Sequence, residues 1–284
     1  MQKVRIATRG SDLAILQARA ISRLFTESSI ESEIITTKTL GDIDHTTPIY
    51  SMNGNGVFVS SLNMAILDGE ADLAVHSAKD MPSSTDSGLE IAYYSERGDP
   101  RDYFVSNVPI HDFRGTIGTS SVRRKAFISL LNTNINFTSI RGNIQTRIDK
   151  FNSGVVDATV VAKVALDRLH IEPRGYVFSE EEVPPDPNQG FIAVVSRKES
   201  PFARFLRKFQ SEVSLWEASS ERLIMSALGL GCDSPISIRA KFETKTVNFS
   251  TVIDKLRVDR CLKFSDSEAI KEAVVSIGDI LGTR

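Results

Sequence analysis

Two stretches of this sequence place the same chemistry in the same layout. In "IGTSSVRR" (117–124) and "SIRGNIQTR" (139–147) a β-branched run ends in small polar residues and opens into a helix carrying arginines. Gly118 permits a tight turn, and Thr119, Ser120 and Ser121 are N-cap residue types. A helix begun there turns its free N–H groups and positive dipole end outward, which makes an anion site. Arg123 and Arg124 add forked donors suited to carboxylate or phosphate. Arg141 and Arg147 repeat the arrangement around Asn143. A single such junction reads equally well as a capped helix with solvated charges; two in one block point to a site for a polyanion. Neither has the spacing of a phosphate P-loop or a dinucleotide fingerprint.

Three further stretches carry candidate groups. "ATRGSDLA" (7–14) puts Arg9 and Ser11 where a strand gives way to a helix, either as an exposed charge beside a cap or as partners for an anion. "ADLAVHSAKDMP" (71–82) delivers His76, Ser77, Lys79 and Asp80 to one strand end, and Pro82 stops regular structure. Lys79 beside Asp80 is a surface ion pair or an acid/base pair at a ligand site, and His76 reads better as a hydrogen-bonding structural residue than as a ligand. No spacing argues for a metal. "LGLGCDSPIS" (228–237) sets Cys232 on a glycine-flanked loop, where a thiol is a candidate nucleophile or attachment point. Cys261, inside "DRCLKF", reads as a packed core residue.

The elements that must position these groups follow from periodicity. "KVRIAT", "SEIITTK", "ADLAVHS" and "LEIAYYS" read as strands. They alternate with helices over "SDLAILQARAISRLF", capped by Ser11 with Leu13, Leu16, Ile21, Leu24 and Phe25 on one face, and over "VFVSSLNMAILDGE" after a glycine-rich turn at 53–56. A second block follows Asp99-Pro100. Its strands are "GTIGT", "INFTSI" and "DATVVA"; its helices are "SSVRRKAFISLLN", "NIQTRIDKFNSG" and "KVALDRLHI". The acidic, proline-rich "EEEVPPDPNQG" is a connection, and "FIAVVSR" is a further strand. A third block has the helix "EVSLWEASSERLIMSAL", the strands "ISIRAKF", "KTVNFSTVI" and "RVDRCLKF", and a last helix capped by Asp266 or Ser267. The pattern predicts two α/β lobes with largely parallel sheets and a small C-terminal α+β domain.

Composition bounds the function. The chain has 284 residues, 41% hydrophobic and 25% charged, with a formal net charge of −2. That balance lacks the basic field of a nucleic-acid binder, so an anion site must be a local concentration of Arg and Lys. Two cysteines make no disulfide framework. No run has membrane-spanning length, and "MQKVRIATRGSDLA" has no signal-peptide core, so a cytoplasmic protein is expected.

Together, "RIATRGSDLA", "GVFVSSLNMAILDGEADLAVHSAKDMP", "ERGDPRDYFVS", "IGTSSVRR", "SIRGNIQTR" and the Cys232 loop with Pro235 resemble the porphobilinogen deaminase (hydroxymethylbilane synthase) family. The matches run in family order over residues 4–237. The resemblance implies two periplasmic-binding-protein-like lobes, residues 1–95 with 190–209 and residues 96–189, between which the chain crosses twice, and a C-terminal domain over 210–284. It implies a transferase that joins four porphobilinogen units head to tail, releases ammonia and frees hydroxymethylbilane by hydrolysis. The primer is a dipyrromethane cofactor held by a thioether to Cys232. Each pyrrole carries acetate and propionate groups, so the growing chain is a polycarboxylate. Arg9, Ser11, Thr119, Ser120, Arg141, Arg147, Arg168 and Gln189 are then substrate-binding residues, and Lys79, Asp80, Ser121, Arg123 and Arg124 cofactor-binding ones.

Asp80 is the implied catalytic residue. Loss of the aminomethyl nitrogen gives a cationic azafulvene-like electrophile; the previous pyrrole's α-carbon attacks it, and a carboxylate stabilises the charge and assists proton loss. The implied partners are porphobilinogen, the growing polypyrrole and, for product hand-over, uroporphyrinogen-III synthase; a monomer is implied, with neither nucleic acid nor membrane. Three positions depart from the family pattern: Asn55 replaces a lysine, bulky Phe191 stands where a small residue is common, and Ser237 follows the cysteine loop in place of glycine. A non-catalytic two-lobed anion-binding protein is the rival reading. It accounts for the arginines but not for Cys232 or the third domain.

Overall fold

A computed structural model describes residues 3–37, 57–230, 234–264 and 267–282. The chain divides into two compact units, Met1–Arg97 with Gly190–Ser219 and Gly98–Gln189 with Ser220–Arg284.

In the first unit β1 (Val4–Arg9) runs parallel to β2 (Ser32–Thr37) and β3 (Leu73–Ser77). The strand β10 (Ile192–Arg197) lies antiparallel between β3 and β4 (Leu89–Tyr94), giving the order β2-β1-β3-β10-β4. The alternation of side chains along these strands builds two cores. Leu73, Val75, Ile192 and Val194 pack with Ala18, Ile21 and Phe25 of α1 (Asp12–Thr26). Ala74, Ala193 and Val195 pack with Val59, Leu62 and Ile66 of α2 (Val57–Leu67) on the other face. Ser11 caps α1, accepting from Ala14 N, as its sequence position predicts.

The second unit repeats this topology. The strand β6 (Gly115–Gly118) is parallel to β7 (Ile135–Thr138) and β8 (Ala158–Ala162). Next, β5 (Asp102–Val105) lies antiparallel between β8 and β9 (Gly175–Val177), so the order is β7-β6-β8-β5-β9. The helices α3 (Val122–Leu131), α4 (Ile144–Asn152) and α5 (Lys163–Leu169) connect or follow these strands. The strands β5 and β9, 4 and 3 residues long, are too short to show a period in the sequence. Close approach of β9 requires Gly175: its φ is +142°, and a Cβ there would lie 1.9 Å from Phe104 O. The six-residue α6 (Pro201–Leu206) is likewise too short for a period, and its Phe205 stacks on Phe25 at 4.7 Å.

The long helix α7 (Glu212–Ala227) leads to an antiparallel sheet, β11 (Ile236–Lys241), β12 (Thr246–Ile253) and β13 (Leu256–Lys263), followed by α8 (Ser267–Leu281). The architecture is thus α/β, two lobes each built on a five-stranded mixed sheet, with a small C-terminal α+β portion. One expectation is corrected: Cys261 is exposed, not packed in the core. It lies on β13, an edge strand of mostly exposed residues, opposite Asn248. Cys232, the turn at 53–56 with Asn55, and Asp266 lie outside the described residues, as does the side chain of Ser267. No helix among the described residues is long and apolar enough to cross a membrane.

Candidate functional site

Parallel pairing decides what meets at the sheet edges. In the first unit β1 and β3 are neighbours, with Ala7 level with Ala74, so their carboxyl ends emerge side by side. That edge brings together Arg9, the Ser11 cap and the turn Ala78–Asp80. Asp80 is exposed and Lys79 half-buried. The turn is held from below by a residue the sequence reading passed over: Gln17 of α1 is buried and its Nε2 donates to Ser77 Oγ at 2.9 Å. Its signal was a polar residue on the apolar face of the helix. His76 is buried within β3, in keeping with a structural role. Phe191, the bulky departure, is 1% exposed; it packs edge-on to Tyr94 at 6.2 Å and under the Arg97 guanidinium at 4.6 Å. It fills the core, not the site.

In the second unit β6 and β7 end together, Gly118 level with Thr138. The two arginine-bearing junctions therefore meet. Ser120 and Ser139 share a hydrogen bond between hydroxyls at 2.6 Å, and Ser120 Oγ also donates to Ile140 O at 3.0 Å. Ser121 caps α3 and Asn143 caps α4, accepting from Arg124 N and Thr146 N. Gly142 takes a φ of +111°, and Arg147 Nε donates to its carbonyl at 3.0 Å. Arg141 and Arg147 are half-buried, and Ser120 is exposed. This edge offers two helix N-termini, hydroxyls and guanidinium groups, a donor set for carboxylates. Thr119 is fully buried, and its Oγ1 accepts from Ser121 N at 3.2 Å, which shapes the cap. Arg168 is half-buried in α5; burial pushes its guanidinium down to about 10, still cationic at neutral pH.

Arg123, Arg124 and Gln189 lie elsewhere. Arg123 is 1% exposed and donates to Asp102 at 2.7 Å, Asp186 at 2.6 Å and the Pro184 carbonyl. Arg124 forks onto both oxygens of Asp102 at 3.0 and 2.7 Å and reaches Val160 O at 2.9 Å. Gln189, also buried, donates to Asp102 at 3.0 Å and Pro100 O at 2.5 Å. In this structure the three side chains hold internal acceptors. The sequence signal for Asp102 was faint, the second of two aspartates in "DPRDYF".

The Asp102 cluster gives a pH prediction. Burial alone would raise the Asp102 carboxyl; the charges of Arg124 and Arg123 reverse this and hold it well below the usual carboxylate range. A depressed carboxyl contributes stability that is complete above its unfolded value of about 4 and is lost as pH falls through the folded one. The thermal midpoint, followed by circular dichroism from neutral pH downward, is expected to fall below about pH 4. Asp102→Asn should flatten that limb, and parallel curves for the two proteins would refute the assignment.

Among the described residues no group of His, Cys, Asp and Glu is arranged to hold a metal ion. Comparison with solved structures finds distant likenesses. A periplasmic domain of Bordetella pertussis BvgS has a TM-score of 0.43 at 14% identity, over 78% of this chain and 92% of that one. The methionine-binding protein MetQ has 0.45 at 10%, over 78% and 94%. Sequence comparison reaches further. Residues 4–204 match the family model "Porphobilinogen deaminase, dipyromethane cofactor binding domain". The chain is 41% identical to a probable porphobilinogen deaminase of Picrophilus torridus, over 84% of this chain and 85% of that protein. It is 38% identical to the porphobilinogen deaminase of Caldicellulosiruptor saccharolyticus (90% and 91%), and 37% identical to a probable one of Archaeoglobus fulgidus (95% of each). These matches show that the chain belongs to the porphobilinogen deaminase family.

Proposed function

We propose that this chain is a hydroxymethylbilane synthase that condenses porphobilinogen head to tail, with Asp80 at the reacting centre and the dipyrromethane primer attached to Cys232. The observation that carries the reading is the meeting of the two arginine-bearing junctions at one sheet edge. The cofactor's acetate and propionate groups suit the donors found there: Ser120, Ser121, Arg141 and Arg147 would hold carboxylates, and Arg9 and Lys79 at the edge of the first unit and Arg168 in α5 are further cationic groups of the kind such a ligand takes. When bound, the dipyrromethane supplies a free pyrrole α-carbon as nucleophile.

Asp80 does the protein's share of the chemistry. Its exposed carboxylate at the end of β3 stabilises positive charge developing on the substrate pyrrole as ammonia leaves, and it accepts the α-proton after the new carbon–carbon bond forms. Gln17, through Ser77, keeps the turn in place. Arg123, Arg124 and Gln189 serve the same ligand from beneath by shaping the edge. We further propose three domains, of which the C-terminal one carries the cofactor cysteine, and a cytoplasmic monomer that passes its product to uroporphyrinogen-III synthase.

Intact mass tests the reading. Protein made in cells that synthesise porphobilinogen should exceed its sequence mass by two linked pyrrole units, and the modified peptide should contain Cys232 and not Cys261. Cys232→Ser should lose the adduct and normal turnover, whereas Cys261→Ser, at an exposed position, should keep both. An unmodified Cys232 in fully active protein would sink the attachment.

A further inference from the structure

We infer that Asp102 is a positioning residue: one buried carboxylate fastens both chain crossovers to the helix whose N-terminus binds anions. The inference rests on the function proposed above.

Asp102 opens β5, just after the first crossover at 97/98, and Gln189 is the last residue before the second. Arg123 and Arg124 lie in the first turn of α3, directly after Ser120 and Ser121. The Asp102 carboxylate, fully buried, accepts from Arg123 Nη2, Arg124 Nε, Arg124 Nη2 and Gln189 Nε2, all within 3.0 Å. These bonds fill the acceptor capacity of a carboxylate. Arg123 carries the cluster on to Asp186 and to the Pro184 carbonyl, and Gln189 carries it to Pro100 O. Segments 100–102, 122–124 and 184–189 are therefore one hydrogen-bonded body.

The cluster is balanced, with Arg123 and Arg124 set against Asp102 and Asp186. Shifting any member would leave a buried charge unpaired, so the arrangement resists displacement. What it fixes is where α3 begins. Ser120 bonds across to Ser139 and Ile140, so the junction with Arg141 follows the same body. Donors held by a rigid shell bind better than donors that must be ordered by the ligand. Asp102 thus acts on substrate affinity through Arg123 and Arg124, without touching the reacting atoms.

The test compares full-length holoenzyme with Asp102→Asn and Asp186→Asn, by steady-state kinetics and hydrogen–deuterium exchange. Asn keeps the shape of Asp102 but turns a donor towards the arginines. The KM for porphobilinogen should rise about tenfold, the scale of one charge-assisted hydrogen bond, with kcat nearly unchanged. Exchange should quicken in peptides covering both crossover segments. Asp186, 28% exposed and so the less buried partner, should give the same changes at about threefold, with a thermal melt of each variant checking that it is folded. A purely structural role would lower the amount of active protein and leave KM alone. Unchanged KM and exchange in Asp186→Asn overturn the inference whether or not Asp102→Asn folds, as does a fall in kcat at constant KM in Asp102→Asn. Wild-type protein that does not consume porphobilinogen would overturn the proposed function instead, and the exchange measurement would still decide whether Asp102 fastens the crossovers.

Discussion

Asp80→Asn is expected to lower kcat for porphobilinogen condensation at least about 100-fold, the scale on which removing one preorganised electrostatic group slows an enzyme. The amide is isosteric with the carboxylate, and the side chain is exposed at the end of a short turn, so the fold has no stake in the charge. The melting temperature should therefore be that of wild type. The dipyrromethane adduct is the informative companion measurement. If Asp80 acts in each condensation, stopped-flow mixing with porphobilinogen should show slowed ammonia release even when the adduct is present. Near-normal turnover in Asp80→Asn would remove this residue from the mechanism.

The second large effect is expected at Arg141 and Arg147. Each is half-buried at the edge where the two junctions meet, and each guanidinium can take a carboxylate bidentately. Losing one such charged interaction weakens binding by about 1.5–3 kcal/mol, or roughly 10- to 100-fold. Replacing either by Leu should raise KM by that amount, and the double variant should stall elongation, with short enzyme-bound intermediates accumulating in the mass spectrum. Unfolding midpoints should move little, because neither side chain lies in the buried cores. Full activity in the double variant would refute the anion-site reading.

The cap residues show how much was legible in the sequence. Ser11, Ser121 and Asn143 precede helices, and each accepts the backbone N–H that its position predicts, because a cap is decided within four residues of chain. The strands β1, β3, β6, β7 and β8 were legible for a similar reason: buried parallel strands are continuous apolar or β-branched runs. Gly-Thr-Ser-Ser followed by paired arginines was legible as chemistry, and the family motifs could be read in order.

What the sequence could not assign was which arginines face outward. Arg123 and Arg124 look like Arg141 and Arg147 in their local spacing, yet the first pair is buried against Asp102 and the second lies half-buried at the sheet edge. The difference is made by Asp102, which is 21 and 22 residues away in sequence. Cys261 shows the converse, an apolar-looking strand residue left exposed because β13 forms the edge of its sheet. By itself the sequence determined the elements, their caps and the family chemistry, all of which depend on neighbours along the chain. Only the tertiary structure decided which arginines are buried in internal ion pairs and which lie half-buried at a sheet edge, because burial and ion pairing are settled by residues that meet only once the sheets have formed.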